Sequence, residues 1–113
     1  MNLKNIADTY FNSWKAHDFE TIRSLLSNNV TFIGALGKAY GVDECIDGLR
    51  GLTKIMTDIV IQHMWIDESD IITWYEFHTT KTNEPLSVVN WSHVENGVIT
   101  KIRVTFDPRP LLT

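Results

Sequence analysis

A chain of 113 residues is the length of one domain and can bury roughly two-thirds of its unfolded surface, enough for a core without disulfides or metal. Hydrophobic residues at 43% and charged residues at 21% exclude a disordered chain, and a net charge of −4 with scattered Lys54, Lys81, Lys101 and Arg103 excludes a nucleic-acid-binding stripe. No apolar run approaches the roughly 20 residues of a membrane span, and the single cysteine, Cys45, excludes an internal disulfide.

The opening stretch MNLKNIADTYFNSWKAHD is amphipathic and lacks the continuous apolar core of a signal peptide, so a cytoplasmic protein is expected. Leu3, Ile6, Ala7, Tyr10, Phe11 and Trp14 recur at helical spacing and make one apolar face. Asp18 is placed to cap a short second helix with Phe19, Ile22, Leu25 and Leu26 inward, and residues 27–29 stop it. Residues 30–33 form a short strand, and the glycines at 34, 37 and 41 mark a mobile loop. A third helix carries Asp43 and Glu44 in its first turn and Cys45, Ile46, Leu49, Leu52 and Met56 along its buried stripe. Cys45 therefore belongs to the core rather than to a nucleophilic site.

From Asp58 onward the period changes to two. Strands over residues 58–67, 70–80, 86–95 and 98–107 are joined by Glu68-Ser69, by residues 82–85 and by Asn96-Gly97, turns short enough to make an antiparallel meander. Taking register from those turns, one face collects Val60, Gln62, Met64, Ile66, Thr73, Tyr75, Phe77, Val89, Trp91, His93, Ile102, Val104 and Phe106. The other collects His63, Trp65, Trp74, Glu76, His78, Asn90, Lys101, Arg103 and Thr105, with Ile59, Ile61, Ile72 and Val88 among them. Helices over the first, apolar face would leave a cavity at the open end of a curved sheet, a site for a small apolar molecule. The second face bears aromatic groups among polar ones and is expected to join two copies in a homodimer through Trp65, Trp74, Glu76 and Arg103.

The fold expected is thus α+β, a cone-shaped curved antiparallel sheet with three helices on its concave face, spanning residues 1–113 as one domain. This order of elements, with YFNSWKAHDFETIRSLLSNNVTF, GVDEC and NGVITKIRVTFDPRP, resembles the SnoaL-like polyketide cyclase branch of the nuclear transport factor 2-like superfamily. In SnoaL-like cyclases a histidine before the last hairpin turn and an aspartate ending the last strand belong to the active site. The resemblance implies those roles for His93 and Asp107. The catalytic sets of limonene-epoxide-hydrolase-like and ketosteroid-isomerase-like relatives have no counterpart, since Val88, Val89, Asn90 and Val104 stand on the corresponding strands.

Two readings of Asp107 stand. At an apolar pocket mouth it is a base of raised pKa, suited to taking a proton next to a carbonyl, with His93 orienting or sharing that proton. Otherwise it opens an Asp-Pro turn or pairs with Arg103 or Arg109. Strict alternation sets Asp107 on the face opposite Phe106, so the first reading needs a bulge at the strand end. His93 likewise is a site residue or a histidine satisfied by a neighbour such as Thr73. Trp14, Gln62, Tyr75, Trp91 and Phe106 are the expected substrate-binding residues. The four histidines show no metal-binding spacing and the glycine-rich loop no phosphate-binding pattern, so neither metal nor cofactor is expected. The functions left open are a cofactor-free cyclase, isomerase or hydrolase acting on an apolar carbonyl compound, a ligand-binding protein without chemistry, and a dimerising adaptor.

Overall fold

The computed structural model describes residues 2–112. Helix α1 (Leu3–Lys15) starts at Asn2, whose side chain accepts from the Asn5 backbone N–H at 2.8 Å. Its Ile6, Ala7, Tyr10, Phe11 and Trp14 stripe is buried, as three- and four-residue spacing requires. Asp18 caps α2 (Phe19–Leu25) by accepting from the Thr21 N–H at 3.1 Å and the Thr21 hydroxyl at 2.6 Å.

The chain passes from α2 directly into β1 (Leu26–Gly34), so residues 27–29 continue a strand instead of ending in a loop. The glycine-marked segment beyond it is also structured: β2 (Gly37–Tyr40) folds back antiparallel on β1. Helix α3 (Val42–Thr53) follows, and Met56 begins β3 (Met56–Asp67) rather than closing the helix stripe. β4 (Asp70–Thr79), β5 (Leu86–Glu95) and β6 (Val98–Thr105) complete the meander. Asn96 and Gly97, at φ of 53° and 81°, supply the left-handed pair that a two-residue hairpin needs.

The sheet has six strands in the order β2-β1-β6-β5-β4-β3. β1 runs parallel to β6, while every other neighbour is antiparallel, so the sheet is mixed rather than antiparallel throughout. The three helices lie over one face of it: α1 packs on β3 and β4, and α3 on β1 and β2. Trp14 ties the layers together. Its ring stacks on Phe77 with centroids 5.6 Å apart, and its Nε1 donates to the Leu49 carbonyl of α3 at 3.2 Å.

Two bulges set which residues face the helices. On β6, Ile99 pairs with Val94 and Lys101 with His93, leaving Thr100 as an extra residue. On β3, Ile61 pairs with Tyr75 and His63 with Trp74, leaving Gln62 extra. The register expected from uninterrupted alternation is therefore one residue out on β5. Leu86, Val88, Asn90, Ser92 and Val94 point inward, and Val89, Trp91 and His93 point outward. Tyr75, Phe77 and Ile102 face the core as expected. Burying an aliphatic side chain contributes about 1.5–3 kcal/mol. Turning Leu86, Val88 and Val94 outward would forfeit an amount comparable with the roughly 5–15 kcal/mol stability of a whole domain.

The uncovered face is built of cross-strand rows. Arg103, Trp91, Ile72 and Trp65 form one row across β6, β5, β4 and β3, and Thr105, Val89, Trp74 and His63 form the next. Lys101, His93, Asp70 and Asp67 flank them on one side, with Ser87, Glu76 and Val60 on the other. No helix among the described residues is long and apolar enough to cross a membrane.

Candidate functional site

Between the helices and the inner sheet face lies a cavity of about 50 Å³. α1 contributes Tyr10 and Trp14, α3 Leu49 and Leu52, β4 Tyr75 and Phe77, β5 Leu86, Val88 and Asn90, and β6 Val104. Phe32, Leu36, Phe106 and Leu111 complete the wall, and Leu36, 48% exposed, reaches from the wall to solvent. One water-sized probe needs about 10–15 Å³, whereas pockets for drug-sized ligands run to roughly 300–1,000 Å³. The cavity thus accepts a few heavy atoms at most. An open groove of about 310 Å³ adjoins it, sharing Phe32, Leu36 and Leu52 and floored by Gly48 and Gly51 of α3.

Among the described residues, the lining includes Tyr10, Tyr75 and Asn90, whose side chains carry hydrogen-bonding groups, and no carboxylate, imidazole, ammonium or guanidinium. Burial pushes both tyrosine hydroxyls above the ordinary phenol range, so each keeps its proton near neutral pH. Phe11 meets Tyr75 at 5.0 Å between ring centroids, which holds the Tyr75 ring against α1. Asn90 Oδ1 accepts from the Ser92 hydroxyl at 3.0 Å.

Of the residues expected to contact substrate, Trp14, Tyr75 and Phe106 line this cavity and Gln62 and Trp91 do not. Gln62 is the exposed extra residue of the β3 bulge. Trp91 points to the opposite face, because the Thr100 bulge shifts β5 against β6. His93 goes with it: its Nδ1 lies 2.7 Å from Asp70 Oδ1, which also accepts from Trp91 Nε1 at 3.1 Å. Asp107 is exposed and accepts from Arg109 Nε at 2.9 Å, Arg109 Nη2 at 2.7 Å and the Arg109 backbone N–H at 3.1 Å. Those bonds hold its carboxyl below the usual range, the opposite of what a base in an apolar pocket requires. His93 and Asp107 are therefore not brought together, and neither reaches the cavity.

Tyr10 was legible as a core aromatic and Asn90 as an outward polar group; the structure makes both cavity residues. The signal for Asn90 was Ile99, an isoleucine that strict alternation strands on the polar face until Thr100 is taken as a bulge. Among the described residues, no three His, Cys, Asp or Glu side chains are placed to hold a metal ion.

A family model described as a SnoaL-like domain matches residues 7–102. No curated protein matches the sequence. Among solved structures, a nuclear transport factor 2-like protein of unknown function from Cytophaga hutchinsonii superposes with a TM-score of 0.88 at 22% identity, over 100% of this chain and 96% of that one. A de novo designed protein with a curved β-sheet gives 0.85 at 20% identity, over 96% and 90%. An epoxide hydrolase of M. tuberculosis, described as LEH-like, gives 0.78 at 17% identity, over 96% and 84%. At these identities the likeness is one of fold.

Proposed function

Because this chain belongs to the SnoaL-like domain family, a fold that also carries catalysis in some of its structural neighbours, the question is whether its own cavity holds a catalyst, and we propose that it does not. The protein is a small-molecule-binding protein that holds one end of an apolar ligand beneath α1 and α3, with the remainder lying in the adjoining groove. The observation that carries this reading is that no acid or base among the described residues lines the cavity wall. Proton abstraction needs a group within hydrogen-bond reach of the proton, and two protonated tyrosines and an amide are poor bases.

The test is an NMR titration with 2-heptanone in deuterated buffer. Binding should shift the signals of Val88, Val104 and Leu111, while deuterium enters the ketone's α-carbon no faster than in buffer alone. Exchange above the buffer rate, lost in Asp107→Asn, would restore the base reading. No shift with any small apolar compound would leave the cavity a packing defect and the protein an adaptor.

A second copy of the chain is the proposed partner, seated on the uncovered sheet face. The two apolar rows are flanked by polar ones, the layout of an interface core and rim. Trp65, Ile72, Trp74 and Val89 are each 38–49% exposed. Charge favours a self-contact. A two-fold axis along the strands lays β6 of one copy over β3 of the other, setting Lys101 against the partner copy's acidic row end at Asp67 and Arg103 against its Trp65 row end.

A further inference from the structure

Three of the four tryptophans give their indole N–H to a partner. Trp14 donates to the Leu49 carbonyl, Trp74 to the Ser87 hydroxyl at 2.9 Å and Trp91 to Asp70. Trp65 makes no such bond among the described residues, and at 49% it is also the most exposed of the four. It projects from β3 on the uncovered face, with the His63 ring beside it at 4.3 Å between centroids. A large amphipathic ring standing half in water at the end of a sheet is the type of group that protein contacts cover.

At the other end of the same cross-strand row lies an open groove of about 370 Å³. Val89, Trp91 and Thr105 line it from the meander, and Ile33 and Ala35 wall it from the β1–β2 hairpin. Among the described residues that line it, Arg103 is the one charged group. Arg103 Nη1 donates to the Thr31 carbonyl at 3.0 Å, the Thr31 hydroxyl at 3.2 Å and the Ile102 carbonyl at 2.8 Å. Those bonds fix the guanidinium in place without neutralising it.

An apolar groove with one fixed cation selects what fills it. An alkyl group would strip water from Arg103 and give nothing back, and a carboxylate would meet apolar walls on every other side. An aromatic ring answers both, since its face is apolar and attracts a guanidinium within about 6 Å. Trp65 cannot enter the groove of its own chain, because three strand spacings of about 4.8 Å separate β3 from β6. A second copy brings it there. A two-fold axis along the strands exchanges the ends of each row, so the partner's Trp65 arrives over Arg103 and the partner's His63 over Thr105. We infer that the groove at Arg103 is the seat of the partner's Trp65, a contact made twice in the dimer. This rests on the second-copy reading above and goes beyond it by naming the side chain that docks, the groove that receives it and the part of the β1–β2 hairpin in the interface.

The experiment is sedimentation equilibrium on wild type, Trp65→Ala, Ala35→Tyr and equimolar mixtures of the two variants. Both positions are exposed, so the fold should survive, and circular dichroism checks that it does. Trp65→Ala removes both docking rings and Ala35→Tyr blocks both grooves. At about tenfold or more for each contact, either homodimer should weaken at least about a hundredfold. In the mixture, the intact Trp65 of one variant meets the open groove of the other, so a heterodimer should form about tenfold more tightly than either variant pairs with itself. Thr105→Tyr fills the same groove from β6 and should complement Trp65→Ala in the same way, which keeps the test open if the hairpin variant folds poorly. A dimer that Trp65→Ala leaves intact, or mixtures no tighter than the separate variants, overturns this seat while the second-copy reading stands. A wild-type monomer at micromolar concentration overturns both and leaves the groove to a partner of another kind.

Discussion

Cys45 lies on the buried face of α3 with 2% of its surface exposed, and burial pushes its thiol up to about 12. The thiolate is the reactive form, so a disulfide reagent at about pH 8 should leave the native protein unlabelled over a time in which the unfolded chain reacts fully. Native labelling at the unfolded rate would contradict this burial. The sign of the pH effect follows. Below the ordinary thiol value both forms keep the proton and stability is indifferent to it. Between that value and about 12 the unfolded chain loses the proton while the folded one retains it, so stability falls as pH rises. Tyr10 and Tyr75 act in the same direction. The urea midpoint should therefore drop in alkali, and less so in Cys45→Ala. Asp107 behaves as a turn residue paired with Arg109: Asp107→Asn should barely move the folding midpoint and leave ligand binding unchanged. Cys45 was legible because helical spacing alone fixes its direction. Asp107 was not, since its partner Arg109 lies past the strand end, where no period applies.

The Thr100 bulge decides the chemistry of the cavity at the level of a single strand pair. Without the extra residue, pairing that starts correctly at Glu95 and Val98 would carry Trp91 opposite Ile102 and bring Val89, Trp91 and His93 inward. With it, Asn90 faces the ligand space and His93 faces Asp70. Deleting Thr100 should force Ile102 and Val104 outward or β5 over, at a cost of about 3 kcal/mol or more from exposing two or three aliphatic side chains. Circular dichroism during urea unfolding measures it; a deletion variant as stable as wild type would mean that the sheet tolerates either register. Hairpin turns and strand periods were readable from the sequence because each depends on neighbouring residues. The bulges were not, because the preference for Ile99 inside over Val98 inside is settled by the helices across the core. The same holds for β2: Gly37–Tyr40 is a strand only because β1 lies beside it.

For the whole molecule, the order of helices and strands was legible almost throughout, and the function was not, as expected when a designed protein and an epoxide hydrolase share the architecture. The uncovered face belongs to this scale as well. If two copies stack with the axis along their strands, Lys101→Glu and Asp67→Lys should each weaken the dimer about tenfold or more, and the double exchange should recover most of the loss. Sedimentation equilibrium reads this directly. A wild-type monomer at micromolar concentration, or single exchanges without effect, would rule out that arrangement.

The parallel pairing of β1 with β6 has a consequence for how the chain acquires its structure. Strands β3 to β6 are joined by short turns and can zip locally, on the microsecond scale typical of hairpins. β1 zips locally only with β2; its other partner, β6, lies at the far end of the chain, where Arg103 Nη1 donates to the Thr31 carbonyl at 3.0 Å across 72 positions. The β1–β2 hairpin can therefore join the rest of the sheet only after the last strand exists, and closing so long a loop is slow. The meander should gain hydrogen-exchange protection first and β1 last. During synthesis, the first third of the protein must wait, with one edge of β1 unpaired, until residue 105 has been made.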